Sequence, residues 1–288
     1  MKKMIRIAAM LLIVANTSNA IAQELPQPSP KAKVEQRIGL TDVTVEYSRP
    51  SVKGREIFGK LVPFDKVWRT GANANTLITF TDDVKIDGQA LKAGTYSFFT
   101  VPPSNRLKWQ VFFNSVIDGW GEGKYDEKNN VLKLATKQQR VEMRESMAFS
   151  FDNLTNNSGD LVLSWDTVAI SLKIEVEVEK KAWMNIKAAM KEVTEDNKAA
   201  VYRNSAKYVL TTKKNLDRAM LFIDESIKAK EYWYSYWVKA DVQHAMGDNA
   251  GAIESAKKAI ELGEDGAKEK GKPFGYKGRL EEAIANYK

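Results

Sequence analysis

Residues 168–193 read VAISLKIEVEVEKKAWMNIKAAMKEV, and the hydrophobic period changes inside them. From Val168 to Val178 the apolar residues Val168, Ile170, Leu172, Ile174, Val176 and Val178 alternate with Ala169, Ser171, Lys173, Glu175 and Glu177. A period of two puts every second side chain on one face, which suits an antiparallel strand with one face on a core and one in water. From Ala182 the spacing lengthens. Trp183, Ile186, Met190 and Val193 fall on one side of a helix. A β-region therefore ends and a helical region begins near residue 180.

Upstream of this switch the period of two recurs in short runs. Val43, Val45 and Tyr47 alternate with polar neighbours, and Leu161, Leu163 and Trp165 define another alternating run. Further strands are predicted at 76–81, 84–86, 95–101, 109–113, 131–136 and 140–151, with turn signals at Asp87-Gly88 and Ala93-Gly94. Many short strands without intervening helices predict an antiparallel β-sandwich, jelly-roll-like, over residues 34–178. Downstream, helices are expected near 198–211, 215–229, 232–246, 249–262 and 276–287. A weak repeat at a spacing of 33 maps Ala219 onto Ala252 and Ser226 onto Ala259, and residues 234–262 look like a tetratricopeptide repeat. The fold class expected is α+β in two domains, the sandwich followed by an all-α tetratricopeptide-like domain at 179–288.

The N-terminus reads as a secretory leader. Lys2, Lys3 and Arg6 precede an apolar run from Ile7 to Ala15, and Ala20-Ile21-Ala22 supplies a small-x-small cleavage site. The run is shorter than the roughly 20 residues that span a bilayer. Residues 1–22 are expected to be removed after Ala22, leaving residues 23–33 as a linker and a periplasmic protein with no membrane span. The chain has no Cys and a single His, His244. That removes disulfides, thiolate chemistry and Cys metal sites, and most His-ligated metal or Ser-His chemistry. No cofactor and no metal are expected, and His244 reads as structural or surface.

The basic excess is local. Tyr47–Asn73, YSRPSVKGREIFGKLVPFDKVWRTGAN, holds six basic residues against two acids, within a chain of formal charge +7 that includes the three leader cations. Arginine forks suit carboxylate or phosphate, and an Asn amide adds donors and acceptors. Arg49, Lys53, Arg55, Arg69 and Asn73 are therefore candidate ligands for a small anionic or sugar-like molecule, with Trp68 stacking beside them. The competing reading is that these arginines brace a long loop. The loop 118–130, DGWGEGKYDEKNN, offers Trp120 and Tyr125 as further stacking residues, or Trp120 as a plug at the sandwich edge. Its acids Asp118, Glu122 and Asp126 depart from the calcium-loop pattern. In the helical half, Tyr232, Tyr236 and Trp237 are candidates for docking an envelope protein, or for packing between the halves. The Lys-rich stretch 257–277 alternates with Glu and carries no nucleic-acid expectation.

Several fragments together resemble a bacterial family known as domain of unknown function 2911. They are Tyr47-Ser48-Arg49-Pro50, Lys53-Gly54-Arg55, Phe58-Gly59, Val67-Trp68-Arg69, Gly71-Ala72-Asn73, Ala93-Gly94-Thr95-Tyr96-Ser97, the strand Trp109–Asn114 and Trp120-Gly121. The resemblance covers about residues 30–178. It implies an exported β-domain, sometimes followed by helical repeats, and no activity. Three functions remain open on the sequence. One is a non-enzymatic envelope protein that binds an anionic or carbohydrate-like ligand. Another is a hydrolase of sugar or cell-wall material using Glu122 and Asp126. The third is a ligand-free structural or chaperone-like protein.

Overall fold

The computed structural model describes residues 25–287, so the leader and its cleavage site lie outside the described residues. The chain divides into two compact units. One takes in the chain up to Gln36, Asp42–Leu154 and Gly159–Ile174; the other takes in Arg37–Thr41, Thr155–Ser158 and everything from Glu175.

Nine strands make one sheet: β1 (Lys31–Ile38), β2 (Thr41–Ser48), β3 (Leu77–Phe80), β4 (Val84–Ile86), β5 (Gln89–Leu91), β6 (Gly94–Val101), β7 (Lys108–Asn114), β8 (Asn130–Asp152) and β9 (Ser158–Val176). Their order is β1-β2-β3-β6-β7-β8-β9-β4-β5. The β4–β5 hairpin turns on Asp87 and Gly88, both at positive φ (47° and 80°), as a two-residue turn matched to strand twist requires.

The long strand β8 joins two layers. Its first part pairs antiparallel with β7, as far as Lys137 opposite Lys108. From Gln138, opposite Ile170, it pairs with β9. Phe149, late in β8, meets Tyr47 of β2 (4.9 Å between ring centres) and Phe98 of β6 (6.0 Å), which sets the two layers face to face. The filling is aromatic: Trp109, Trp165, Phe80, Phe98, Phe99 and Phe113 are all fully buried.

Four boundaries differ from the sequence reading. The runs at 131–136 and 140–151 are one strand, because backbone pairing carries β8 through the polar stretch between them. The runs at 161–165 and 168–178 are likewise one strand, with Asp166 at φ 54° marking an irregularity rather than an end. Val178 opens the first helix instead of closing β9, and β1 starts at Lys31, inside the expected linker.

Six helices follow: α1 (Val178–Lys191), α2 (Glu195–Thr212), α3 (Leu216–Ala229), α4 (Trp233–Ala245), α5 (Asn249–Lys268) and α6 (Lys277–Asn286). Thr194 and Asn197 close a reciprocal capping box on α2, and the Asp248 carboxylate caps α5 by accepting from Gly251 N at 2.9 Å. Two cores result. One holds Ala206, Val209, Ala219, Ile223, Val238 and Val242; the other holds Ala240, Ala252, Ala256, Ala259, Leu280 and Tyr287. The spacing of 33 is visible in them. Val209 and Val242, Ala219 and Ala252, Ile223 and Ala256, and Ser226 and Ala259 are pairs of buried equivalents on successive helical hairpins. No helix among the described residues is long and apolar enough to cross a membrane.

Candidate functional site

The basic block does not gather its arginines into a cleft. Arg49 Nε donates to the Met147 carbonyl at 2.7 Å. Arg55 folds back on its own loop, with Nη2 donating to Ser51 O at 2.6 Å and Nε to Val52 O at 3.0 Å. The turn between them uses Lys53 and Gly54 at positive φ, and Glu145 Oε1 accepts from Lys53 N at 2.9 Å. Arg49 and the Lys53 backbone thus tie residues 49–53 to the second part of β8, while Arg55 stiffens the loop itself. Each bond to a main-chain carbonyl leaves a guanidinium one donor fewer for a ligand, and these bonds brace the loop. Trp68 corrects the expectation of a stacking residue. Its side chain is only 6% exposed, lies stacked on Trp165 at 5.8 Å, and donates its indole N–H to Gly71 O.

A different group of segments does converge. Asn75 N donates to Gly119 O at 3.2 Å, Gly121 N donates to Asn73 O at 3.1 Å, and Ala74 bridges Trp120. This short ladder locks the loop 70–75 to the loop 118–122. Arg69 Nη1 reaches across the same junction to Glu122 Oε1 at 2.8 Å. On the other side the Asn73 amide donates to Ser29 O at 3.2 Å, and Arg49 N donates to Pro30 O at 2.8 Å. The end of the Pro-rich start, Ser29–Pro30, is thereby held beside Asn73 and Arg49.

Both glycines flanking Trp120 are required by this geometry. A Cβ on Gly119 would lie 2.3 Å from the Asn75 amide nitrogen, and Gly121 has φ +68°. With its neighbours pinned, Trp120 stands out of the surface, 72% exposed. It forms one wall of an open groove of about 840 Å³, whose other lining includes Leu25, Pro26, Gln27, Ser48 and Asn73. A depression of about 470 Å³ adjoins it through Lys31, Ser48 and Ala74 and runs beside β1 and β2. Of the residues singled out in the sequence, Asn73 and Trp120 therefore share a site, with the Arg69–Glu122 pair on the same loop junction.

Tyr125 is a strut rather than a stacking platform. Its ring packs edge-on against Phe99 at 4.9 Å, and its hydroxyl accepts from the Asn130 amide at 2.9 Å. The three acids of this loop go to separate partners. Asp118 pairs with Lys124, which holds its carboxyl below the usual carboxylate range; Glu122 pairs with Arg69; and Asp126 accepts from Lys128 N at 2.9 Å. They form no common ligand set, and among the described residues no group of His, Asp and Glu is arranged to hold a metal ion.

The family model described as "Protein of unknown function (DUF2911)" matches residues 29–174. The chain belongs to the DUF2911 family. No curated protein and no solved structure matches it. The DUF2911 span ends at Ile174, where the first compact unit also ends. It includes Ser29, Ser48, Asn73 and Trp120 of the groove, while Leu25, Pro26 and Gln27 precede it. The contribution of these three was not read from the sequence, although proline-rich composition favours an extended segment that can lie along a surface.

Outside the DUF2911 span, the helical unit gathers aromatics around Trp233. Tyr276 stacks on it at 5.0 Å, Phe274 meets it edge-on at 5.0 Å, and Tyr232, Tyr234 and Trp237 lie within 6.1 Å. Tyr232 and Tyr276 keep exposed faces. Arg203 sits over the Tyr232 and Tyr234 rings at 5.3 and 5.5 Å. Tyr236 points elsewhere, donating to Glu231 Oε1 at 2.7 Å, and burial together with that carboxylate pushes its phenol up to about 12. His244 is exposed and bonds Asn249 Oδ1 through Nδ1 at 2.8 Å.

Proposed function

We propose that this DUF2911 protein is an exported carbohydrate-binding protein, with the Trp120 groove as its binding site. The observation that carries the reading is Trp120 itself, a large exposed ring on a rigidly pinned loop beside an open groove. An exposed indole offers a flat apolar face to the C–H face of a sugar ring, and exposing it without a partner serves no purpose in packing. The Asn73 amide, Gln27, Ser48 and Lys31 supply the polar groups that orient hydroxyls. A polyhydroxylated ligand is favoured over a small anion, because Arg49 and Arg55 donate to carbonyls and Arg69 to Glu122.

The basic, apolar and small-residue parts of residues 1–22 support export to the periplasm with cleavage after Ala22. The exposed rings of Tyr232 and Tyr276 beside Trp233 support a role for the helical unit in docking an envelope protein.

The test is calorimetric titration of the purified protein with neutral oligosaccharides and soluble peptidoglycan glycans. Binding should appear with at least one glycan, and Trp120→Ala should weaken it about tenfold or more, equivalent to about 1.4 kcal/mol. Its melting temperature should stay close to that of the wild type. A folded Trp120→Ala variant that binds as the wild type does, or a wild type that binds no glycan, would sink the reading.

A further inference from the structure

Another cavity, of about 370 Å³, opens elsewhere on the β unit and shares no lining residue with the Trp120 groove. It lies where β8 changes partners. Lys137 still pairs with Lys108 of β7, while Gln138 already pairs with Ile170 of β9. Two neighbours parting across one strand leave a gap, and Phe58 and buried Trp109 fill its bottom, 5.2 Å apart between ring centres.

The polar groups around this gap are organised. The Trp109 indole N–H donates to Gln138 Oε1 at 3.0 Å, which fixes that amide and leaves its N–H₂ group to donate. The charged residues Glu56, Asp166, Arg106 and Arg140 line the same cavity. Arg106 lies over the Phe64 ring at 6.0 Å. Among the described residues, none of these four side chains is in an ion pair with another, so two charges of each sign face one small space without neutralising one another. The backbone here is also unusual. Asp166 is left-handed at φ 54°, and the β8–β9 register shifts between Arg140 and Arg144. Bulges and strained residues re-aim side chains and persist where the surroundings over-determine them, as happens beside binding sites.

We propose that this cavity is a second binding site, for a small zwitterion: a free α-amino acid or a dipeptide. The carboxylate meets Arg140 and Arg106, the ammonium meets Asp166 and Glu56, and the side chain rests on Phe58 and Trp109. A simple anion would face two carboxylates of like charge, and a simple cation two guanidiniums. A neutral sugar would desolvate four charges without pairing any of them. A zwitterion pairs both signs at once with charge-assisted hydrogen bonds. The volume is at the small end of ligand sites, which suits a molecule of this size.

Calorimetric titration of the purified protein with free amino acids and dipeptides tests the proposal. The N-acetylated form of each ligand lacks the ammonium, and the amidated form lacks the carboxylate. At least one parent compound should bind, with both blocked forms at least tenfold weaker. Asp166→Asn keeps a residue that tolerates the left-handed backbone, and it should weaken binding tenfold or more, as should Arg140→Gln. Should Asp166→Asn unfold, Glu56→Gln at an exposed position takes its place with the same expectation. Three results would overturn the proposal: no parent compound bound at millimolar concentration, a blocked form binding as well as its parent, or folded variants binding as the wild type does.

Discussion

The two units of this protein distribute their aromatic residues in opposite ways. In the β unit the large rings are inside: Trp109, Trp165, Phe98, Phe99 and Phe113 fill the space between the layers, and Trp120 is the large ring left in water. In the helical unit alanine makes up half of the two buried cores. Ala206, Ala219, Ala240, Ala252, Ala256 and Ala259 are fully buried, while Tyr232 and Tyr276 keep exposed faces. Layers of sheet stand about 10 Å apart and need long side chains to fill that gap. Helices pack at 8–10 Å between axes, and alanine at the crossing lets them approach at the short end of that range. The same residue type therefore means different things in the two units. A tryptophan is ordinary filling in the β unit, so an exposed one there is informative. A tyrosine on the helical surface is what remains when the seam has no room for it.

This contrast can be broken most severely at Trp109. Trp109→Ala should cost about 3–5 kcal/mol, seen in urea unfolding, because a buried indole and its bond to Gln138 are lost and the rigid layers cannot close the hole. In the helical unit the opposite change is the damaging one. Ala256→Leu should cost about 1–3 kcal/mol by overpacking, where a small side chain is fully buried. If Ala256→Leu is neutral in the same assay, the helical core is looser than its alanines imply. Arg49→Met should cost about 1.5–3 kcal/mol, the range for a hydrogen bond to a charged group, since it removes the bond to Met147 O. A cost near zero would mean that Arg49 does not act as a brace.

Smaller still is a titration effect at Tyr236. Its folded phenol is raised from 10.0 to about 12, first by burial and then by Glu231. A raised folded pKa contributes stability that is complete below the ordinary tyrosine value and lost as pH climbs through about 12. Alkaline titration of tyrosinate absorbance should therefore contain a late component that Tyr236→Phe removes. Trp120→Ala should change stability least, within about 0.5 kcal/mol, because its ring is in water.

Much of the β unit was legible because several of its strands have one wet face. Alternation marked β2 and most of β9, β6 and β7 stood out as short runs rich in aromatic and β-branched residues, and Asp87-Gly88 announced its hairpin. The polar middle of β8 was not legible, because there hydrogen bonds to β7 and β9 carry the strand without an apolar face. The candidate site was legible in part. Trp120 and Asn73 were nominated on separate loops, and both line the groove. Trp68 and Tyr125 were nominated on the same grounds and are packed inward instead. Local sequence shows that a ring sits near glycines and charges, but not which side of the loop faces the core.

By itself the sequence determined the switch from strands to helices near residue 180, the small residues at a spacing of 33, and the exclusion of cysteine chemistry. These are matters of period and composition, which local physics enforces residue by residue. Only the tertiary structure decided that Arg49 braces β8, that Leu25–Pro30 walls a groove with Trp120, and that Glu56, Arg106, Arg140 and Asp166 surround one cavity. The reason is distance along the chain. Arg49 meets a carbonyl 98 residues away, and the four charged groups come from four separate segments. What a side chain faces is set by which strands pair, and no local pattern records that.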